Sequence, residues 1–153
     1  MLLGLALPAG IVAGLRTFTA PAAVSWAARL TALNLGGSWL AFMSYAWTPW
    51  IFTALALVEL VMDQLPSTPS RKVPMQFGAR IVSGALCGAT LGAPAGSWIA
   101  GLVAGVIGAV IGTYGGAEVR ARMAKAFGRD LPAALIEDAA AIVLGLIIVL
   151  VSQ

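Results

Sequence analysis

Residues 96–117 read GSWIAGLVAGVIGAVIGTYGGA, a run of 22 residues without a charged side chain. About 20 apolar residues in a helix cross the hydrocarbon core of a bilayer. The run has no strand-like alternation, and lipid cannot satisfy the backbone polar groups of an open sheet. It therefore predicts a membrane-spanning helix, and similar apolar runs rich in Ala, Leu, Gly, Val and Ile occupy most of the chain.

The composition agrees with membrane residence. Of the 153 residues 60% are hydrophobic and 10% are charged, whereas a soluble domain carries about 25% charged residues. The net charge of +3 does not indicate nucleic acid, because the basic residues lie between apolar runs, where they report membrane orientation. One cysteine and no histidine remove the usual residues of disulfide, zinc, haem and Ser-His-Asp chemistry. We expect no cofactor and no metal site.

The chain divides into six apolar segments. The first contains Gly14, Arg16 and Pro21 and is expected to kink or break there. The second is short for a span, so a half-helix or an interfacial segment is expected. Before the sixth segment, Asp130 suits an N-cap and Pro132 a first helical turn. The segments cover residues 2–28, 35–47, 49–65, 74–91, 96–117 and 132–151, and a basic loop at 120–130 precedes the last.

Three landmarks recur in the same order in two halves of the chain. A polar linker at 66–73 separates a first three-segment unit, residues 1–65, from a second, residues 74–153. An odd number of spans per unit places the units in opposite orientations, a plan common among transporters. The predicted fold is thus an all-α polytopic bundle of six segments in two inverted repeats. The matching landmarks are Gly14-Leu15-Arg16 with Gly78-Ala79-Arg80, Gly37-Ser38-Trp39-Leu40-Ala41 with Gly96-Ser97-Trp98-Ile99-Ala100, and Ala56-Leu57-Val58-Glu59 with Ala134-Leu135-Ile136-Glu137.

The basic residues favour six spans over five. With six spans, Arg29, the pair Arg71 and Lys72 and the group at 120–129 all fall on one side of the membrane. Positive charge marks the cytoplasmic side, so both termini are predicted to lie outside. With five spans Arg29 would lie opposite the other basic groups.

Six charged residues lie inside or at the edges of apolar segments. A charged side chain at a bilayer centre costs about 2.5–3.5 kcal/mol on insertion scales, so such residues face one another, water or a solute. Glu59 and Asp63 share a helix face, whereas the adjacent Glu137 and Asp138 point about 100° apart. The candidate solute- or ion-binding residues are Arg16, Glu59, Asp63, Arg80, Glu137 and Asp138.

Two interpretations of these charges stay open. Arg16 and Arg80 can each pair with an acid and lock helices together without any ligand. Alternatively, four acids against two arginines leave a deficit of two positive charges, to be met by a bound cation, a proton or water. If Asp63 and Asp138 are simply solvated near the segment ends, a neutral quartet of the other four residues remains.

The fifth segment carries small residues at four-residue spacing, which lets helix backbones approach closely. A packing seam is the favoured interpretation, and a homodimer interface is a further candidate use. No P-loop lysine follows, so a phosphate cradle is disfavoured. The predicted packing residues are Gly101, Gly105, Gly108 and Gly112.

Five segments carry a resemblance that covers nearly the whole chain: Gly14-Leu15-Arg16-Thr17-Phe18, Met62-Asp63-Gln64-Leu65-Pro66, Gly78-Ala79-Arg80-Ile81-Val82-Ser83-Gly84, Gly112-Thr113-Tyr114-Gly115-Gly116 and Leu135-Ile136-Glu137-Asp138. With them the chain resembles the bacterial membrane family of domain of unknown function 4126. The resemblance implies a multi-spanning protein of the bacterial inner membrane and supplies no activity.

Three functions are weighed on these observations. The first is a small transporter or channel-like protein for an ion or small polar solute. In it Arg16 and Arg80 would hold an anionic group or neutralise the acids, and Glu59 and Glu137 would bind the cation or proton. The second is a non-transporting structural or accessory membrane protein with static ion pairs. The third, a lipid-modifying enzyme that holds magnesium at Glu59 and Asp63, lacks the long acidic signatures expected of that class. We expect membrane lipid and a small solute, not nucleic acid, as partners.

Overall fold

The protein is described here by a computed structural model that covers residues 1–65, 67 and 70–153. Within these ranges the secondary structure is entirely helical, which confirms the all-α prediction. Three residues of the predicted linker, Pro66, Thr68 and Pro69, lie outside the described ranges. The α-helices are α1 (Ala6–Leu15), α2 (Thr19–Leu30), α3 (Thr48–Met62), α4 (Pro74–Gly92), α5 (Trp98–Phe127) and α6 (Asp130–Val151), with 3-10 helices at Leu2–Leu5, Trp39–Ser44 and Ala93–Ala95.

Two helices, α5 and α6, are long and apolar enough to cross a membrane. The helical stretch Leu2–Leu15 and α3 are apolar but shorter. The second predicted segment, residues 35–47, forms only the short 3-10 helix Trp39–Ser44, which begins after Gly37 in a left-handed conformation (φ +80°). The all-helical architecture is thus established, whereas six spans are not confirmed.

The inverted repeat is not confirmed either, because its landmarks occur in unlike structures. Arg16 follows the end of α1, whereas Arg80 lies inside the continuous helix α4. Glu59 lies in the last turn of α3, whereas Glu137 lies in the first half of α6.

The prediction of a basic loop at 120–130 is wrong. Helix α5 continues through these residues to Phe127 and ends at Gly128, whose positive φ of 68° terminates it. Asp130 is the first residue of α6 rather than its N-cap, and its carboxylate accepts hydrogen bonds from Arg120. The basic residues therefore extend a helix beyond its apolar stretch.

Helix α5 is the centre of the bundle, because α1 and α4 both pack closely on it. Its glycines face backbone on two sides: Gly101 and Gly105 face α4, and Gly108 and Gly112 face α1. A Cβ at Gly105 would lie 2.8 Å from the carbonyl carbon of Gly84. The glycine seam is therefore occupied inside the chain, and this face is not available for a homodimer.

The outer surface is strongly apolar. Only 33% of the most apolar stretches of α5 and of α6 is buried inside the protein. Helix α3 buries just Pro49 and Ala56, while Leu57, Val58 and Val61 are each more than half exposed. Apolar area costs about 25 cal/mol per Å² in water. This surface therefore fits a hydrocarbon environment better than an aqueous one.

The glycine seam predicts a contrast between two substitutions in α5. Gly105→Ala pushes a methyl group into the backbone of α4 and is expected to destabilise the fold by about 1–3 kcal/mol. Gly115→Ala is the matched control, because a Cβ there meets nothing within 4 Å and alanine favours a helix. Thermal unfolding in detergent measures both variants. Equal stability of the two would contradict the described packing.

Candidate functional site

The candidate site is built around a break in the first apolar segment, which confirms the predicted interruption. Helix α1 ends at Leu15, Arg16 is extended (φ −141°, ψ 121°), and α2 begins at Thr19. Such a break frees backbone N–H and C=O groups that an intact helix would pair. Buried groups of this kind are costly without partners. Side chains of three other helices, α3, α4 and α5, supply these partners.

Glu59 of α3 satisfies the N–H groups at the start of α2. Its two carboxylate oxygens accept hydrogen bonds from the backbone nitrogens of Thr17 (2.6 Å) and Phe18 (2.9 Å). A negative charge is favourable at a helix N-terminus, because the helix dipole places partial positive charge there. Glu59 therefore holds backbone rather than an arginine.

Arg80 of α4 satisfies the carbonyl groups at the end of α1. Its Nη1 donates hydrogen bonds to the oxygens of Gly14 (2.8 Å) and Leu15 (2.7 Å). A cation is favourable at a helix C-terminus for the same electrostatic reason. The Ser83 hydroxyl donates to the Thr17 oxygen (2.5 Å), and the Thr113 hydroxyl donates to the Gly14 oxygen (3.4 Å).

Arg16, the residue at the break, is completely buried and bridges two helices. Its Nη1 forms an ion pair with Asp63 after α3, and its Nη2 forms an ion pair with Asp138 of α6. The amide nitrogen of Gln64 also donates to Asp138 (2.9 Å). Asp63 and Asp138 are therefore the acids that pair with Arg16, and the expectation that they are merely solvated is wrong.

Glu137 forms a separate cluster near the start of α6. It forms an ion pair with Arg71, whose Nη2 lies 2.7 Å from the Glu137 Oε2 atom. Arg120 approaches the same oxygen (3.4 Å) and also binds Asp130 (2.5 Å). Glu137 and Asp138 thus face different partners, as their predicted angular separation requires.

The expected quartet of Arg16, Arg80, Glu59 and Glu137 does not form. Among the described residues, no ion pair links either of these arginines to either of these glutamates. Arg71 and Arg120 supply the two positive charges that the two-arginine count lacked. The deficit was therefore no evidence of a bound cation or proton.

Helix α3 depends on these carboxylates for its position. It packs along α2 and makes no extensive contact with α4 or α6. The indole nitrogen of Trp26 donates to the Thr53 hydroxyl (3.0 Å), and the ring of Trp26 meets Trp50 edge-on at 5.0 Å. At the other end of α3, the carboxylates of Glu59 and Asp63 attach the helix to the break at residues 16–18. Their predicted common face is confirmed.

Two cavities lie beside the side chains that hold the break. The first, of about 570 Å³, is lined by charged and polar side chains that include Arg71, Arg80 and Arg120. The second, of about 440 Å³, lies between α3 and α4 and reaches Glu59 and the break itself. Asp63 and Gln76 belong to the walls of both. The two cavities are therefore neighbours, and the wall of the second is mainly apolar.

Three residues of the site were not predicted from the sequence: Arg71, Arg120 and Gln64. The two arginines were interpreted as markers of membrane orientation, and Gln64 was not considered as a site residue. The uneven count of acids and arginines was the signal that could have found the two arginines. Among the described residues, no three His, Cys, Asp or Glu side chains are grouped as metal ligands. Glu59 and Asp63 are instead each occupied by donors of the chain.

Comparisons with known proteins give no relative. No family model, curated protein or solved structure matches the chain. The resemblance to the bacterial family of unknown function stays a prediction.

The pairing of Arg16 with Asp138 predicts strong coupling between these residues. Removing one partner of a buried ion pair costs about 3–5 kcal/mol where the other charge is left uncompensated, and less for the loss of Asp138, since Arg16 keeps its ion pair with Asp63. We expect Arg16→Met and Asp138→Asn each to destabilise the fold, and the double variant to lose much less than the sum. Unfolding in detergent measures the cycle.

Arg122→Gln is the control for that cycle, since Arg122 pairs with Glu118 on an exposed helix surface, where ion pairs contribute little. Additive losses at Arg16 and Asp138 would show that the two side chains do not form a pair in the folded protein.

The role of Glu59 predicts a local effect of Glu59→Gln. The amide keeps the shape but presents a donor to one of the two N–H groups, so we expect a loss of about 1–3 kcal/mol. Hydrogen exchange at Thr17 and Phe18 should accelerate, while amides in the centre of α5 stay protected. Unchanged exchange at the break would contradict this role of Glu59.

Proposed function

We propose that this chain is an integral membrane protein that lets an ion or a small polar solute pass between its helices. The observation that supports the proposal is a pair of neighbouring cavities that share Asp63 and Gln76, the first with many charged and polar wall residues and the second with a mainly apolar wall that includes Glu59. Transporters commonly place their sites at discontinuous helices, where irregular backbone lines a cavity. Here the break at Arg16 adjoins the second cavity through Thr17 and Phe18.

Membrane residence is supported by the apolar outer surface and by the two long apolar helices. The family resemblance adds the bacterial inner membrane to the proposal. Arg71 and Arg120 line the same cavity, and the proposed topology assigns their two basic groups to one side of the membrane. Both termini would then lie outside the cytoplasm.

Helix α3 is the proposed moving part. Glu59 and Asp63 attach its end to the break, and the second cavity separates it from α4 along Leu55, Val58 and Ala79. A helix held by a few polar contacts and little buried area opens at lower free energy than the core. Release of its two carboxylates would join the two cavities and open a path past Asp63.

A second function, a structural or accessory membrane protein without transport, is favoured by one specific observation. Arg16 has no accessible surface and is neutralised by two aspartates, an arrangement that needs no ligand to explain it. In this alternative the charges only fix the broken helix in place. An enzymatic role has no comparable support.

Solute flux separates the two functions. We would reconstitute the protein in liposomes and follow light scattering after an osmotic step with glycerol, urea, sodium acetate or potassium chloride. Wild type should accelerate the uptake of at least one solute over protein-free liposomes. Gln76→Phe should abolish that acceleration, because the ring fills space next to both cavities.

Val82→Phe is the matched control, since Val82 lies in the same helix with 68% of its side chain exposed, and its flux should equal that of wild type. Folding of each variant is checked by thermal unfolding. If folded wild type moves none of these solutes, transport of glycerol, urea, acetate and chloride is ruled out and the structural role is favoured.

A further inference from the structure

Arg80 differs from the other three arginines of the interior. Arg16 pairs with two aspartates, and Arg71 and Arg120 pair with Glu137. Arg80 is 3% exposed, yet among the described residues no carboxylate lies within 4.0 Å of its guanidinium. Buried charges are normally paired or coordinated. The carbonyl end of α1 offers only partial negative charge.

The nitrogens of Arg80 have distinct surroundings. Nη1 uses its two hydrogens on the oxygens of Gly14 and Leu15. Nε is enclosed and has no hydrogen-bond partner. Nη2 has no protein acceptor among the described residues and is not enclosed. Because Arg80 belongs to the wall of the first cavity, Nη2 is the nitrogen that remains for a ligand in that space.

The rest of the cavity wall favours an anion. Arg71 and Arg120 line it beside Arg80, and its two carboxylates, Asp63 and Asp130, are already bound to Arg16 and Arg120. A cation would therefore meet acids that are neutralised and an arginine that is not. The attraction of a buried guanidinium for an anion is strong in such a setting, because the surrounding dielectric is low.

Two uncharged hydrogen-bond donors of the cavity wall, Gln76 and Ser70, indicate which class of anion fits the site. The amide of Gln76 has no hydrogen bond among the described residues, and the Ser70 hydroxyl accepts one from the Lys72 nitrogen (3.3 Å), so its hydrogen is free to donate. A ligand with several oxygens can accept from these groups and from Nη2 together. A halide presents a single atom and cannot span them.

We propose that the first cavity binds a small oxyanion, of the carboxylate or phosphate class, with Arg80 as its charged partner and Gln76 as a neutral donor. This inference rests on the proposed function and names the class of its solute. An oxygen of the ligand would accept a hydrogen bond from Nη2 of Arg80, while Nη1 keeps its hydrogen bonds to the carbonyl end of α1. The site would thereby couple ligand binding to the broken helix.

The test measures binding in detergent, where no flux is required. Purified wild type is titrated calorimetrically with sodium phosphate and with sodium acetate, and with sodium chloride at matched ionic strength. We expect saturable binding of at least one oxyanion and none of chloride. Gln76→Leu should weaken the binding by roughly tenfold, the usual effect of a lost hydrogen bond to a charged ligand.

Arg80→Gln should abolish the binding, and Arg80→Lys, which keeps the charge and protects the fold, should retain a weakened binding. Arg129→Gln is the matched control, because Arg129 is exposed and lies outside the cavity wall. It should bind like wild type. Binding that survives both Gln76→Leu and Arg80→Lys undiminished would overturn the assignment, as would equal heats for chloride.

The oxyanion could belong to a free solute or to a lipid head group. A second arm therefore compares mixed micelles of phosphatidylglycerol with micelles of phosphatidylcholine. Stabilisation by phosphatidylglycerol that is lost in Gln76→Leu, without binding of free phosphate or acetate, assigns the site to a head group. Oxyanion binding without flux of any tested solute would contradict the transport proposal and leave this inference standing. Glycerol flux without binding of any anion would contradict this inference and leave the transport proposal standing.

Discussion

The structure depends on satisfying the backbone where the first apolar segment breaks. Residues 14–18 leave carbonyl and N–H groups that neither helix pairs, and in an apolar interior each such group is costly. Arg80 donates hydrogen bonds to the carbonyl groups at the end of α1, and Glu59 accepts hydrogen bonds from the N–H groups before α2. Both charges match the helix dipole that they face. The buried charges that look like an ionic site in the sequence are thus mainly partners of backbone and of one another.

This arrangement explains how the helices divide into a rigid and a less rigid part. Helices α1 and α4 each meet α5 through glycines, with backbone against backbone, so these contacts leave little room for adjustment. Helix α3 instead depends on two carboxylates and an aromatic contact to α2. The two cavities lie beside this less firmly held helix and the residues that follow it. A function that needs movement therefore has one element in which to place it.

Much of this fold could be predicted from sequence, because apolar runs and buried charges obey simple rules. The helical class, the break near Arg16 and the shared face of Glu59 and Asp63 all followed from them. The end of α5 was missed although helix-forming residues lead to Gly128, since the charges there suggested a loop. The partners of each acid could not be predicted, because they depend on how helices distant in sequence pack.

The ion pair between Arg16 and Asp138 also constrains how the chain is made. The two residues are 122 positions apart, and ribosomes add about 5–20 residues per second, so about 6–24 seconds separate their synthesis. During that interval the guanidinium has no aspartate of α6 to meet. Until then Asp63, which follows Arg16 by 47 positions, is the one of its two aspartates that can neutralise the guanidinium.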